Sequence, residues 1–529
     1  MTSSTLLRGA RVFGVVVALC GAAFITSGAS GRPDAEAREG GTLIVALAED
    51  PDALDPTLAR TFVGRMVFLH MCEKLYDLNA RLEIVPQLAA ALPTISADKR
   101  TMTIRLRRGI RFNDGTALDA AAVKTSLDRH RTLARSARAS ELAPVSAVEV
   151  AGPLTVRLRL STPYAPLTAQ LADRSGMIMS PKQLSDLGDR FATNPVCVGP
   201  FRFVSRAAGD RITLAKSTQY YGRSRVHLAQ IVFRIITDTS ARAANLRSGD
   251  VQVLDRIAST DLPAIARDRN LRVIKATSIG YQGISFNIGN KNGLGKPFEN
   301  VGTPLASRQL LRQAFELSID RRVINRVVFG GTVLPGCLPV PPTSPYYDRT
   351  IRCPGRNVAQ ARSIIQRTGV DTPVRVRLMI GTDQVQARLG QVIQSMAQEA
   401  GFAVTLQPTE FVTSLARQDA GNYDSFAIGW SGRIDPDGNI YQFVHSKGSL
   451  NNLGWSSPRM DLLLDNARKA TTMRARRTLY AAAFRVLRSQ LPLLYLWHPV
   501  NRHGVNRNVR GVQTYGDGLI RAYNAEFIR

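Results

Sequence analysis

A chain of 529 residues with 44% hydrophobic content is too long for one ordinary domain and has apolar surface enough for two or three cores. Its 69 Lys and Arg against 41 Asp and Glu give a formal net charge of +28, a balance that suits a solvated basic surface, an acidic ligand or an anionic membrane face. The basic residues are spread along the chain without interleaved aromatics, which argues against a nucleic-acid partner. There is also no heptad pattern, low-complexity tract or repeat of 20–50 residues.

The first element is a targeting segment. Arg8 and Arg11 precede an apolar run over residues 12–25, and Ser27, Gly28 and Ala29 supply small residues for cleavage. The run is shorter than the ~20 apolar residues of a membrane span. It reads as an export signal, residues 1–29, cleaved near Ala29. An uncleaved anchor is one alternative. Lipidation at Cys20 is another, although Leu19 is a poor neighbour for it. Removing Arg8 and Arg11, with no acid in the segment, leaves about +26.

Residues 30–41 are polar and read as a flexible arm. Residues 42–47 form a first strand, 49–56 a turn-rich loop and 66–78 a helix. Residues 101–107 and 154–160 alternate apolar with polar, as half-buried strands do, around a helix at 119–135. Residues 86–190 thus read as an inserted subdomain. The chain returns to a strand near 194–203, and residues 227–279 carry strand, helix (239–248), strand and helix.

A second block opens at Ile284. Leu310, Leu311, Ala314 and Phe315 are spaced to bury one face of a helix. Strand 374–380, helix 387–401 and strand 402–406 follow in an order that implies a parallel sheet with a crossover helix. A helix at 474–490 leads to a strand at 493–497 that returns toward the first block. The expected architecture is therefore α/β, with lobe one over 42–280, lobe two over 281–499, and 500–529 rejoining lobe one.

Four cysteines lie beyond the leader. An even number in an exported chain favours disulfides over metal, and no CxxC spacing exists. Cys337 and Cys353 flank a Pro-rich loop and are the better pair; Cys72 and Cys197 either pair or stand as buried thiols.

Several of these parts recur in fixed order. Cys72-Glu73-Lys74-Leu75-Tyr76-Asp77 precedes Pro86-Gln87-Leu88-Ala89, and Phe112-Asn113-Asp114-Gly115 precedes a helix. Phe286-Asn287, Arg312-Gln313-Ala314 and Ile319-Asp320-Arg321 follow. This order resembles the extracytoplasmic solute-binding proteins of ABC importers, the peptide- and nickel-binding family 5. The resemblance spans almost the whole mature chain. It implies a two-lobe periplasmic-binding-protein-like fold (type II, cluster C like), lobes that close on a ligand by hinge motion, a periplasmic location and a monomer. Its partners would be a peptide or other amphoteric solute and the permease and ATPase subunits of an importer. Nickel- or haem-type cargo, or a non-transport envelope chaperone, are the alternatives.

No catalytic motif stands out. GxSxG, HExxH, GxxxxGK[ST] and a post-strand GxGxxG are all absent, and six histidines are scattered without shared ligand spacing. Neither a catalytic residue, a cofactor nor a metal is implied. The best site candidate follows the strand ending at Trp430, because ligands of α/β lobes sit beyond the carboxyl ends of strands. Trp430 offers an apolar wall with one donor, and Ser431 and Gly432 let a ligand main chain approach. Peptide-binding relatives often place an aspartate shortly afterwards against the ligand's α-ammonium. Here that place holds Arg433, which favours a carboxylate or phosphate. Either Asp435 or Asp437 takes the ammonium, or the ligand presents an anion to Arg433. For Arg433 the alternative is an inter-lobe salt bridge, and for Asp435 and Asp437 a helix cap. Arg60, Thr61 and Phe62 beyond the first-lobe loop, Tyr281 and Gln282 at the first crossing, and Trp497 and His498 at the second complete the candidate wall.

Overall fold

The computed structural model describes residues 37, 38 and 40–528. The expected signal segment with Cys20, and most of the expected arm, lie outside the described residues. The arm's end is not free: Ala37–Arg38 pairs antiparallel with Glu526–Ile528, with Ala37 opposite Ile528.

Two large sheets organise the chain. The first has seven strands in the order Leu271–Thr277, Val500–Asn506, Val253–Leu254, Thr42–Leu47, Gln230–Ile235, Arg211–Lys216, Phe201–Ala207. Thr42–Leu47 lies at its middle, parallel to both neighbours. Leu43, Val45, Ala46 and Leu47 are fully buried there, which is why the strand reads as a continuous apolar run instead of alternating. The second has six strands in the order Leu334–Pro335, Leu493–His498, Tyr281–Phe286, Ser425–Trp430, Val374–Ile380, Phe402–Pro408. Val374–Ile380 is parallel to Phe402–Pro408 and to Ser425–Trp430. Between the first pair lies the crossover helix Gln384–Gln398.

Each sheet gathers its own apolar core, and these two bodies are called lobes one and two below. A third core, reaching from Leu75 to Val198, sits on a four-stranded sheet of Thr94–Ile95, Thr101–Arg105, Thr155–Leu160 and Val145–Gly152. Among the described residues no helix is long and apolar enough to cross a membrane.

Two helices differ from expectation because of their caps. The helix expected at 66–78 is Phe62–Met71, begun where the Thr61 hydroxyl accepts the Gly64 amide, and residues 76–78 are a strand instead. The helix expected at 387–401 begins at Gln384, because the Asp383 carboxylate accepts the amides of Val385 and Gln386.

The lobes are joined by two crossings that run side by side. Thr277 pairs with Val500 in the first sheet and Gln282 with Trp497 in the second. Between them the Ser278 amide donates to the Pro499 carbonyl at 2.9 Å.

Both cysteine pairs are bonded, Cys72–Cys197 with a Cα separation of 4.9 Å and Cys337–Cys353 with 5.6 Å. Cys72 and Cys197 are 125 residues apart in sequence, so their bond fastens the end of a first-lobe helix to the segment that returns from the small sheet. Closing so long a loop contributes about 5 kcal/mol on the chain-entropy estimate. Replacing both Cys72 and Cys197 with Ala is expected to lower unfolding stability by several kcal/mol, read as the urea midpoint. An unchanged midpoint would show that the bond constrains little.

Candidate functional site

A cavity of about 410 Å³ lies between the lobes, within the ~300–1,000 Å³ range of small-ligand sites. Both lobes turn the carboxyl ends of parallel strands toward it. Ala48 and Glu49 follow Thr42–Leu47, Thr237 and Thr239 follow Gln230–Ile235, and Arg256–Ser259 (residues 256–259) follow Val253–Leu254. From lobe two, Gly381 to Asp383 (residues 381–383), Glu410 and Ser431 follow the strands ending at Ile380, Pro408 and Trp430. Backbone groups and short loops gather at such ends, which is why α/β folds bind ligands there.

The lining carries groups of both signs, only some of them paired. Arg256 donates to Glu49 and to Asp255, each at 3.0 Å, and lies 5.6 Å from the Phe62 ring centre. Arg60 donates across the lobes to Asp419 at 2.8 Å. Arg242 and Arg502 line the same cavity with no carboxylate within ion-pair distance among the described residues. Arg242 donates to the carbonyls of Ile236 and Thr237, and Arg502 to those of Thr332 and Val500. Burial holds both guanidinium groups below their usual basicity, and the charge of Arg256 adds to this for Arg242. Asp383 caps a helix through one carboxylate oxygen and Glu410 through both. Burial raises the Glu49 carboxyl against the pull of Arg256.

Four buried polar atoms on the lining have no protein partner among the described residues: Arg242 Nε, Trp430 Nε1, Gln386 Oε1 and Asn452 Oδ1. A buried donor or acceptor left unmet costs about 1–3 kcal/mol, and a solute that completes these bonds recovers it. Apolar wall comes from Phe329 against Trp497 (ring centres 4.7 Å apart) and Phe443 against Trp430 (4.9 Å).

Of the residues expected from sequence, Arg60, Thr61, Phe62, Tyr281, Gln282, Trp430, Ser431 and Trp497 line this cavity. Gly432, Arg433, Asp435, Asp437 and His498 do not, and each has a structural occupation. Gly432 has φ +84°, and a Cβ there would meet the Gly280 amide at 2.4 Å. Asp435 is held by both Nη atoms of Arg476 at 2.6 and 2.7 Å. Asp437 is held by Arg468 at 2.6 and 2.9 Å and by Gln170 at 3.0 Å. His498 is buried with Nδ1 2.7 Å from the Gly280 carbonyl, and burial lowers its pKa to about 4. Arg433 lies 3.1 Å from the Asp173 carboxylate, in an inter-lobe ion pair, with its guanidinium 4.5 Å from the Trp430 ring centre. The anionic partner expected for it in a ligand is thus supplied by the protein. Sequence reading passed over Arg242, Arg502, Asp383, Gln386 and Asn452. The rule that picked out Trp430, a position just beyond a strand end, also picks out the neighbourhoods of Arg242 and Asp383.

Comparison with known proteins agrees with this geometry. Residues 83–451 match the family described as bacterial extracellular solute-binding proteins, family 5 Middle. The chain belongs to that family, a family of solute-binding proteins. The glutathione-binding protein GsiB of Pectobacterium atrosepticum is 26% identical over 471 residues, covering 86% of this chain and 88% of that protein. Among solved structures, the binding protein AgaA of A. tumefaciens R10, in complex with agropinic acid, superposes with a TM-score of 0.82 at 25% identity, over 92% of this chain and 99% of that one. Haemophilus influenzae OppA, bound to the peptide RPPGFSPFR, gives 0.84 at 18% identity, over 93% and 100%. The fold is accordingly a two-lobe periplasmic-binding-protein-like fold.

Breaking a buried ion pair by removing one partner costs about 3–5 kcal/mol. Asp435→Ala is therefore expected to lower stability by that amount in urea unfolding, while the folded fraction keeps its solute affinity in calorimetry. Loss of affinity at unchanged stability would return Asp435 to the binding wall.

Proposed function

We propose that this protein is the solute-binding component of an ABC importer, exported to the periplasm, where it captures a small amphoteric solute and delivers it to a membrane permease driven by separate ATPase subunits. The observation that carries this reading is the inter-lobe cavity, which offers unpaired groups of both signs and unmet hydrogen bonds. Arg242 and Arg502 hold an acidic group of the solute. The free oxygens of Asp383 and Gln386 take an amine, and the Trp430 and Phe443 rings cover an apolar part. A cavity of about 410 Å³ suits a solute of di- or tripeptide size, not a long peptide. The GsiB relative binds glutathione by its name, and a compact peptide with several carboxylates matches the chemistry of this wall. Ligand binding then shifts the open–closed population without any catalytic step.

The test is calorimetry with glutathione and a set of di- and tripeptides, each also as its carboxyl-terminal amide. Free acids are expected to bind and the amides to bind at least ~10-fold more weakly, since one hydrogen bond to a charged group is worth about 1.5–3 kcal/mol. Arg242→Met and Arg502→Met should each weaken the free acid by ~10- to 100-fold and narrow its advantage over the amide. Equal binding of acid and amide to the wild type would refute a carboxylate held by these arginines.

A further inference from the structure

Behind Trp430, outside the cavity, four guanidinium groups converge. Arg65 comes from the helix Phe62–Met71, Arg138 and Arg174 from the segment carrying the small sheet, and Arg433 from lobe two. Two carboxylates, Asp173 and Glu141, sit among them. All six side chains are more than nine-tenths buried. Arg65 donates to Asp173 at 2.5 Å and to Ser431 at 3.0 Å, and Arg138 donates to Glu141 at 2.6 Å. Each further carboxylate nearby is already committed one to one: Asp437 to Arg468, Asp435 to Arg476 and Asp517 to Arg521. The cluster is thus left with two more positive charges than negative ones.

The donors are unmet as well. Arg138 Nε and Nη2, Arg174 Nε and Nη2, and Arg433 Nη2 are buried without a hydrogen-bond partner among the described residues. Guanidinium does not shed its proton, so it cannot escape the cost by neutralising as a buried lysine does. An isolated buried charge is among the most expensive things a protein can contain. A second void of about 10 Å³, the room of roughly one water-sized sphere, lies against two of the four arginines, Arg65 and Arg433, with Asp173, Gly432 and Ile279 also on its wall; Arg138 and Arg174 stand behind that wall. It is too small for any organic anion.

We propose that this junction binds a monatomic anion of chloride size in the void between Arg65 and Arg433, which supplies counter-charge to the cluster and ties Arg433 of lobe two to Arg65 of lobe one. A water molecule could satisfy some of the donors but would leave the charge excess in place. The anion therefore binds the state in which Arg433 has docked against Asp173, and it favours closed lobes with or without solute in the main cavity.

The test needs no solute and stands apart from the cargo's identity. Crystals of the wild-type protein grown in sodium bromide should show an anomalous peak within hydrogen-bond distance of the Arg65 and Arg433 guanidinium groups. In parallel, the thermal midpoint should rise saturably with chloride against gluconate at equal ionic strength, and Arg433→Met should lose most of that rise. Bromide peaks confined to the surface, or equal midpoints in the two salts, would overturn the proposal.

Discussion

The architecture depends on the pair of neighbouring strands that carry the chain from one sheet to the other. Thr277–Val500 and Gln282–Trp497 are the last and first pairs of the two sheets along these strands, and only Ser278, Ile279, Gly280 and Tyr281 on one connection and His498 and Pro499 on the other stand between them. The two connections run side by side, joined by the Ser278 amide and the Pro499 carbonyl. Hinged domain closure of this kind concentrates the change in a few element-terminal residues. The close fit of Gly280 and Gly432, where any Cβ would strike backbone, keeps the end of the strand Ser425–Trp430 seated against the crossing. Trp430 is thereby held at the cavity wall from the hinge side.

A division of labour between charges accompanies that constraint. Some buried groups are paired within the protein: Asp435 with Arg476, Asp437 with Arg468, Arg433 with Asp173. Buried pairs of this sort contribute little net stability but make any other arrangement costly, since separating them leaves a naked charge. Arg242 in the helix Thr239–Ser248, Arg502 in the strand Val500–Asn506 and Asp383 at a helix cap line the cavity with no ion-pair partner among the described residues. Arg433 illustrates the distinction. Burial lowers its pKa to about 9, with the charge of Arg65 adding to the effect. Burial alone would raise Asp173, yet Arg433, Arg65 and Arg174 hold it far below the usual carboxylate range. The pair is therefore ionised over the ordinary pH range.

Much of the fold was legible because its strands and helices follow the burial period of the residues. The apolar run at 42–47, the alternation at 101–105 and the strand–helix–strand order from 374 all translate into observed elements. Helix starts were harder, since they turn on one cap, as Thr61 and Asp383 show. The site was half legible. Position after a strand end leads to Trp430 and Ser431, which line the cavity, but it says nothing about which charges are already taken. Arg433, Asp435 and Asp437 looked available because their partners Asp173, Arg476 and Arg468 lie 260, 41 and 31 residues away, with nothing local to announce them. Arg242 and Arg502 were hidden for the converse reason: each is one arginine among many until the fold leaves it without a carboxylate.

Native mass spectrometry of the full chain, purified without unfolding, tests the central claim most directly. A single small adduct at one per chain, released on denaturation and absent from the Arg242→Met, Arg502→Met double variant, is the result that solute capture between the lobes requires. An empty protein that gains neither mass nor stability from the low-molecular-weight fraction of the envelope would contradict it, as would an adduct the double variant retains.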